Sequence, residues 1–350
     1  MAKNNTKQQT ITIDDQKIPV IAIQIPIGQV QLDPDNPRIR EDLKKRDKKL
    51  PPPTKDDLQK IILELSGVSE LLKSIRDNRG LHEPIYLRHN GVVAEGNCRT
   101  AIYLKLNQAF SKDPTWQKID ALKLPESVTE RQIAVLQGHL HVSGKITWRK
   151  HEQAGHLYTM KHTYHMTPAA IAKALGMREK EVERDIRSYE LNLDVIKDIG
   201  KAEKKDDAKK AAPMDGRKKF STINELYKVR DMEEWRAKPA NIETFKKLVV
   251  EGKIKRGADV RKLSKIVADP KALEVLKKDG FDKALHVVGK KDPTADAPIF
   301  GKLKSTAEAL KMVGTPMITR LKDEQGCQKI VQDLFDAVKE FAATAGVSLK

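Results

Sequence analysis

The apolar residues of this chain change their period near residue 128, and this change constrains the fold more than any other feature. Before that point, short apolar runs alternate with turn-forming residues, whereas after it apolar residues recur with helical spacing. The runs at residues 10–13 and 18–23 flank a polar Asp-Asp-Gln-Lys segment and predict a β-hairpin. We therefore predict an α+β N-terminal domain followed by an all-α domain and an all-α C-terminal region.

The same patterns predict further short elements in the N-terminal domain. A helix at residues 58–78 has apolar residues at helical spacing, is interrupted at Gly67 and ends before Gly80. The other elements are strands at residues 25–31, 84–88 and 92–94 and a helix at residues 100–107.

Changes in composition divide the chain into five segments. Residues 200–219 are highly charged, contain Gly and Pro, and nearly lack large apolar residues, which is typical of a linker. The five segments are a tail with the first hairpin strand (1–17), the α+β domain (18–127), a helical domain (128–199), the linker (200–219) and a helical C-terminal domain (220–350).

Composition narrows the choice of partner. Lys and Arg outnumber Asp and Glu by 66 to 49, and the formal charge of +17 favours a polyanion such as double-stranded DNA. Aromatic residues make up only 5% of the chain, which argues against a surface that stacks single-stranded bases.

The cysteine content and the apolar runs predict the compartment. Cys98 and Cys327 are too few for a disulfide framework or a four-thiolate zinc site, and they indicate a reducing environment. The N-terminus lacks a signal-peptide core, and no stretch approaches the ~18 apolar residues of a membrane span. We expect a cytoplasmic protein without a membrane partner.

A strand runs through a glycine into a helix in the sequence VVAEGNCRTAIYLKL. Gly96 permits close approach of the backbone, and the unpaired amides of a helix start favour an anion. Arg99 adds a forked donor suited to phosphate, and Asn97 caps the helix or contacts the ligand. The junction predicts an anion site, although such junctions are also common as purely structural features.

Four short motifs in a fixed order resemble the ParB/sulfiredoxin domain family. They are NPR at residues 36–38, SIRDNRG at 74–80, LHEPI at 81–85 and EGNCRTA at 95–101. The resemblance covers roughly residues 18–110 and continues into a following helical domain, as in ParB proteins. It implies an α+β ParB/sulfiredoxin-like domain with a nucleotide pocket.

The resemblance also implies the ligand and the residues that bind it. The ligand is CTP, or ATP in some related domains, with Mg²⁺. The residues implied are Gly80, Glu83, Gly96, Asn97, Cys98 and Arg99, with Lys145 from the segment HVSGKITWRKHEQA. Two positions depart from the family pattern, because Glu83 stands where Gln is usual and Cys98 replaces the first Arg of a pair.

The cysteine in this box raises the possibility of sulfiredoxin chemistry. In that enzyme the nucleophilic cysteine directly follows the glycine, whereas here Asn97 has that place and Cys98 comes one residue later. One residue rotates a helical side chain by ~100°, which directs the thiol away from the reacting phosphate. We therefore predict a structural thiol and no sulfiredoxin activity.

A helix-turn-helix is predicted in the sequence TPAAIAKALGMREKEVERDIRSYEL. Thr167 is a favourable N-cap and Pro168 a favourable first helical residue. Ala172, Gly176 and Val182 then follow at the spacing of the small residue, the turn glycine and the aliphatic anchor. The alternative is a structural helix pair, since any two short helices can show this spacing.

The second helix of this pair, at residues 178–189, presents charged side chains to solvent. In a major groove Arg184 and Arg187 would reach guanine edges or phosphates, and Glu183 would accept from cytosine or pair with an arginine. The predicted DNA-binding residues are Arg178, Lys180, Glu183, Arg184 and Arg187.

The remaining signals are weaker. Six of the nine histidines lie at residues 139–165 without the partner spacing of a metal site, so we predict no bound metal there. An apolar stripe at residues 328–343 packs within its own domain or pairs with a second subunit to form a homodimer. The basic run at residues 253–263 contacts phosphate or is an exposed helix face.

The first hypothesis is a ParB-like DNA-binding protein for plasmid partition or regulation. A nucleoside triphosphate would control it, a partition ATPase would be a candidate partner, and it would be associated with the nucleoid or a plasmid. The rival is a ParB-fold enzyme, an NTP hydrolase, kinase or nuclease that uses Glu83, Glu95 and Arg99. A third alternative is a transcriptional regulator with a vestigial pocket.

Overall fold

A computed structural model describes residues 7–44, 50–142, 148–205 and 216–348 of the chain. The chain forms two compact units, Met1–Arg261 and Lys262–Lys350. None of the described helices is both long enough and apolar enough to cross a membrane.

The first unit contains a mixed sheet of five strands in the order β1-β2-β5-β3-β4. Strands β3 and β5 are parallel, and the other neighbours are antiparallel. The five strands are β1 (Lys7–Ile13), β2 (Gln16–Pro26), β3 (Ile85–Leu87), β4 (Val93–Glu95) and β5 (Lys118–Lys123).

The hairpin predicted near the N-terminus is confirmed. Strands β1 and β2 are joined by Asp14 and Asp15, both with positive φ (51° and 61°), as a two-residue hairpin turn requires. The predicted strand at residues 25–31 is wrong, because β2 ends at Pro26 and residues 27–29 form a 3-10 turn. This turn directs Ile27 into the core, and Gln31 forms an isolated parallel β-bridge with Val92.

Four helices pack against this sheet domain. They are α1 (Arg40–Lys44), α2 (Lys55–Leu63), α3 (Val68–Asp77) and α4 (Asn97–Ala109). The predicted interruption at Gly67 is confirmed, since this residue has φ of 82° and separates α2 from α3. Ile62, Ile85 and Ile102 lie fully buried in the core that these elements share.

The rest of the first unit is helical, as the change of period predicts. Its helices are α5 (Glu130–Val142), α6 (Lys150–His162), α7 (Pro168–Leu175), α8 (Glu179–Lys205), α9 (Gly216–Lys228), α10 (Glu233–Arg236) and α11 (Pro239–Val250), followed by α12 (Gly257–Val267) at the boundary between the units. The second unit contains α13 (Pro270–Asp279), α14 (Phe281–Gly289), α15 (Pro293–Asp296), α16 (Pro298–Lys311), α17 (Thr315–Asp323) and α18 (Gln325–Thr344).

The predicted linker at residues 200–219 is helical at both ends. Helix α8 continues through Lys205 and α9 begins at Gly216, and residues 206–215 lie outside the described part of the chain. Buried Ile199 and Phe220 anchor the two helices on either side of this segment. Helices α9 to α11 belong to the same compact unit as the sheet, whereas the sequence assigned them to a C-terminal domain.

We predict that Gly96→Ala destabilises the first unit. Gly96 has φ of 110°, and a Cβ at this position would lie 2.6 Å from Ile85 Cγ2. The strained backbone and the steric clash should together lower the free energy of unfolding by roughly 2–4 kcal/mol. Urea denaturation measures this change. Gly28→Ala is the control, because φ is ordinary there and no atom lies within 4 Å; an equal loss in both variants would contradict the prediction.

Candidate functional site

The candidate site surrounds the start of α4, where β4 passes through Gly96 into the helix. No side chain caps this helix start. The first helical residue, Asn97, is buried, and its side-chain amide binds the loop that contains Asp33. Its Oδ1 accepts from the backbone N–H of Asp33 at 3.0 Å, and its Nδ2 donates to the carbonyl of Asp33 at 2.8 Å. Both ends of the Asn97 amide are therefore engaged in holding the fold.

Arg99 has three acceptors inside the protein. It donates to the carbonyls of Glu83 and Pro84 at 2.7 and 3.0 Å, and it pairs with the carboxylate of Glu95. The Arg99 and Glu95 side chains are only 17% and 11% exposed. The charge predicted to hold a phosphate is thus neutralised within the fold.

Glu95 has a second neighbour, the imidazole ring of His141. His141 Nε2 lies 3.4 Å from the other carboxylate oxygen of Glu95, and its ring stacks on Trp148 at 4.4 Å between centroids. Burial raises the pKa of Glu95, but the hydrogen bond from His141 and the charge of Arg99 outweigh it and lower the pKa below its usual value. These contacts give Glu95 a structural role, in contrast to the catalytic role that the enzyme alternative assigns to it.

The Cys98 thiol lies on the other side of the α4 start. Its sulfur accepts from Nη1 of Arg38 at 3.1 Å, and burial raises the pKa of the thiol above its ordinary value. A neutral thiol at neutral pH fits the predicted structural role of Cys98.

Arg38 and Arg149 meet at Ser66, in the turn before α3. Nη2 of Arg38 donates to the Ser66 carbonyl at 3.0 Å, and Nη2 of Arg149 donates to the Ser66 hydroxyl at 2.5 Å. Sequence reasoning assigned a role to neither arginine. The NPR motif was a signal for Arg38, but nothing in the sequence relates Arg149 to it.

The other predicted pocket residues are more dispersed. The Glu83 side chain is exposed, and only its carbonyl reaches the site. Gly80 follows α3 and lies beside the Tyr103 hydroxyl in the body of α4. Lys145 lies outside the described residues.

One of the clustered histidines has a clear structural role. His156 is buried, its Nε2 lies 2.8 Å from the Ala134 carbonyl, and burial lowers its pKa to about 4. Among the described residues, no group of three or more His, Cys, Asp or Glu side chains is arranged to hold a metal ion.

Helices α7 and α8 are joined by a left-handed glycine. The Thr167 hydroxyl accepts from the backbone N–H of Ala170 at 3.2 Å, and Gly176 has φ of 65° at the end of α7. Ala172 and Val182 are buried between the helices. Helix α8 extends to Lys205, well past the predicted end at residue 189, because apolar residues continue to be buried along it.

The predicted DNA-binding residues of α8 differ in their availability. Arg178 and Lys180 are exposed, and Arg187 is 61% exposed and lies 3.6 Å from Glu183. Arg184 is held by Asp185, which is only 1% exposed, through a 3.0 Å hydrogen bond from Nε. Arg184 therefore compensates a buried carboxylate.

The described structure is thus a mixed-sheet domain in which no side chain caps the start of α4, followed by helices that include the α7–α8 pair. A scan against protein-family models finds no match, and a search of curated proteins finds none either.

Among solved structures, the chain is similar to ParB proteins. ParB of Caulobacter crescentus, in complex with the centromeric parS site, is 11% identical with a TM-score of 0.32, covering 69% of this chain and 97% of that one. The same protein with CTP-gamma-S is 14% identical with a TM-score of 0.22, covering 59% and 97%. A Pnob8-like ParB-N domain is 13% identical with a TM-score of 0.27, covering 95% and 99%.

We predict that Glu95→Gln destabilises the protein in a pH-dependent way. Because the folded-state pKa of Glu95 is lowered, its ionisation stabilises the fold above the unfolded pKa of about 4.3 and loses this effect as the pH falls below it. The variant should lose about 3 kcal/mol at pH 7, since Arg99 remains buried without its carboxylate partner. Urea denaturation between pH 3 and 7 measures this. A loss that does not shrink toward pH 3 would contradict the assignment.

Proposed function

We propose that the chain is a ParB-like protein that binds double-stranded DNA through a helix-turn-helix formed by α7 and α8. The observation that carries the proposal is the capped α7, the left-handed Gly176 and the exposed cations at the start of α8. In a helix-turn-helix, the N-terminal turns of the second helix, here α8, enter the major groove of DNA. Arg178, Lys180 and Arg187 are the available cations, and Arg184 acts by holding α8 rather than by contacting DNA.

A nucleoside triphosphate bound with Mg²⁺ at the start of α4 is proposed to control DNA binding. The support is the uncapped helix start and the resemblance of the four motifs. The exposed carboxylate of Glu83 beside a triphosphate is unfavourable unless a divalent cation bridges the two, so binding should require Mg²⁺. CTP and ATP are the candidate ligands.

The active form is proposed to be a homodimer. Helix α18 exposes Ile330 and Phe335, which are 69% and 59% exposed, on the apolar stripe that the sequence predicts. A second copy of the chain would cover this face and present two half-sites to DNA. A partition ATPase as partner and an association with a plasmid or the nucleoid follow from the ParB resemblance alone.

The enzyme alternative is weaker because of the Glu95 contacts. A general base must be available to the reacting group, but Glu95 is buried and paired with Arg99 and His141. The regulator with a vestigial pocket remains the outcome if the chain binds DNA but no nucleotide.

We predict that Lys180→Ala and Arg187→Ala weaken DNA binding. A lost phosphate contact should reduce the slope of log affinity against log salt by about 1, and a lost base contact should cost about 1–3 kcal/mol. Fluorescence anisotropy at several salt concentrations, with genomic and random duplexes, measures both effects. Lys197→Ala is the control, since this lysine lies on the same helix about 25 Å beyond Lys180 and about 15 Å beyond Arg187. Equal affinities in all variants would refute the assignment of α8.

We predict that the wild-type chain binds a nucleoside triphosphate only in the presence of Mg²⁺. Isothermal titration calorimetry with CTP, ATP and GTP, each with Mg²⁺ or with a chelator, measures this. Absence of binding by all three at millimolar concentration would remove nucleotide control from the proposal and leave the DNA-binding part to be decided by the salt titration.

A further inference from the structure

Two arginines from distant parts of the chain converge on one serine. Arg38 lies in the NPR turn before α1, and Arg149 immediately precedes α6. Their guanidinium groups donate to the carbonyl and the hydroxyl of Ser66, which are neutral acceptors of a single residue. We call Arg38 and Arg149 the arginine pair.

The arginine pair, like Arg40, donates to neutral acceptors, in contrast to three other arginines of the same unit. Arg79, Arg88 and Arg99 each form an ion pair with a carboxylate, of Asp113, Asp33 and Glu95 respectively. Within the described ranges, no carboxylate lies within ion-pair distance of the Arg38 or Arg149 guanidinium. Two like charges held at one residue repel each other, and a bound anion removes this repulsion.

Arg38 connects the arginine pair to the start of α4. Nη1 of Arg38 contacts the Cys98 sulfur in the first helical turn, while Nη2 reaches Ser66. Arg99, one residue further along, is neutralised by Glu95. The guanidinium group that contacts the first turn of α4 without a carboxylate partner is therefore that of Arg38, which shares Ser66 with Arg149.

We infer that the arginine pair binds the phosphates of the nucleoside triphosphate at the α4 site, and that Arg99 holds the fold instead. This inference rests on the proposed nucleotide binding. A guanidinium group presents two parallel N–H donors to phosphate oxygens, and charge-assisted bonds of this kind are roughly twice as strong as bonds to a neutral hydroxyl. A phosphate oxygen therefore displaces the Ser66 hydroxyl from Arg149.

Calorimetry of the full chain with CTP, ATP, GTP and inorganic triphosphate, each with Mg²⁺, tests this inference. Arg38→Ala and Arg149→Ala should each lower the affinity for the ligands that the wild type binds by about ten- to a hundred-fold. Arg38→Lys should recover only part of the loss, because a point charge cannot reproduce the fork. Arg79→Ala is the matched control and should leave the affinity unchanged.

A further variant places an anion within the chain itself. Ser66→Asp introduces a carboxylate between the two guanidinium groups, so it should raise the Tm of the free protein and abolish triphosphate binding. A raised Tm also shows that the variant is folded, so loss of binding cannot be due to unfolding. A Tm that stays equal or falls, with triphosphate binding retained, would overturn the inference.

The outcomes separate this inference from the proposed function. If the wild type binds a triphosphate and both alanine variants bind it equally well, the arginine pair is not the phosphate site, although nucleotide binding stands. If the two variants lose DNA affinity while triphosphate affinity is unchanged, the pair contacts the DNA backbone and the inference is overturned. If the wild type binds no triphosphate, the inference and nucleotide control both fail, and DNA binding is unaffected.

Discussion

The buried ion pair between Glu95 and Arg99 is the interaction on which the surroundings of the α4 start depend. It joins the last residue of β4 to the first turn of α4 across Gly96, and the other donors of Arg99 tie the carbonyls of Glu83 and Pro84 to the same helix. Removing both charges from water costs free energy. This cost is offset by the ion pair itself, by the two carbonyls that accept from Arg99 and by the contact of Glu95 with His141. His141 extends the contact to α5, so strand and helices are held together by one carboxylate.

This ion pair shows that a resemblance between motifs does not establish which side chains are available to bind a ligand. A motif carries residue types and spacing, but it does not carry the charges that the remaining chain brings to each side chain. Arg99 has the position in the motif that implies a phosphate contact, yet its guanidinium group is already paired with the carboxylate of Glu95, four residues earlier. Arg184 is a similar case on α8, where the buried carboxylate of Asp185 engages a guanidinium expected to face DNA. In both cases a local acid decides whether a cation is available.

The sequence predicts those parts of the fold that local rules govern. The hairpin turn at Asp14–Asp15, the interruption at Gly67 and the cap at Thr167 each depend on a few neighbouring residues, and all three are present in the structure. The end of α8 was not predictable, because its extension depends on burial against other helices. The convergence of Arg38 and Arg149 on Ser66 is likewise a product of tertiary packing, which periodicity and motif spacing do not encode.

The strand order of the sheet has a consequence for synthesis of the chain on the ribosome. Strand β5 is the last strand in sequence, yet it lies between β2 and β3. The β1–β2 hairpin can form early from local contacts, but one edge of β2 stays unpaired until about a hundred further residues have emerged. At elongation rates of about 5–20 residues per second this interval lasts about 5–20 seconds. The nascent chain thus carries an open strand edge, with which another nascent chain can pair before β5 closes it.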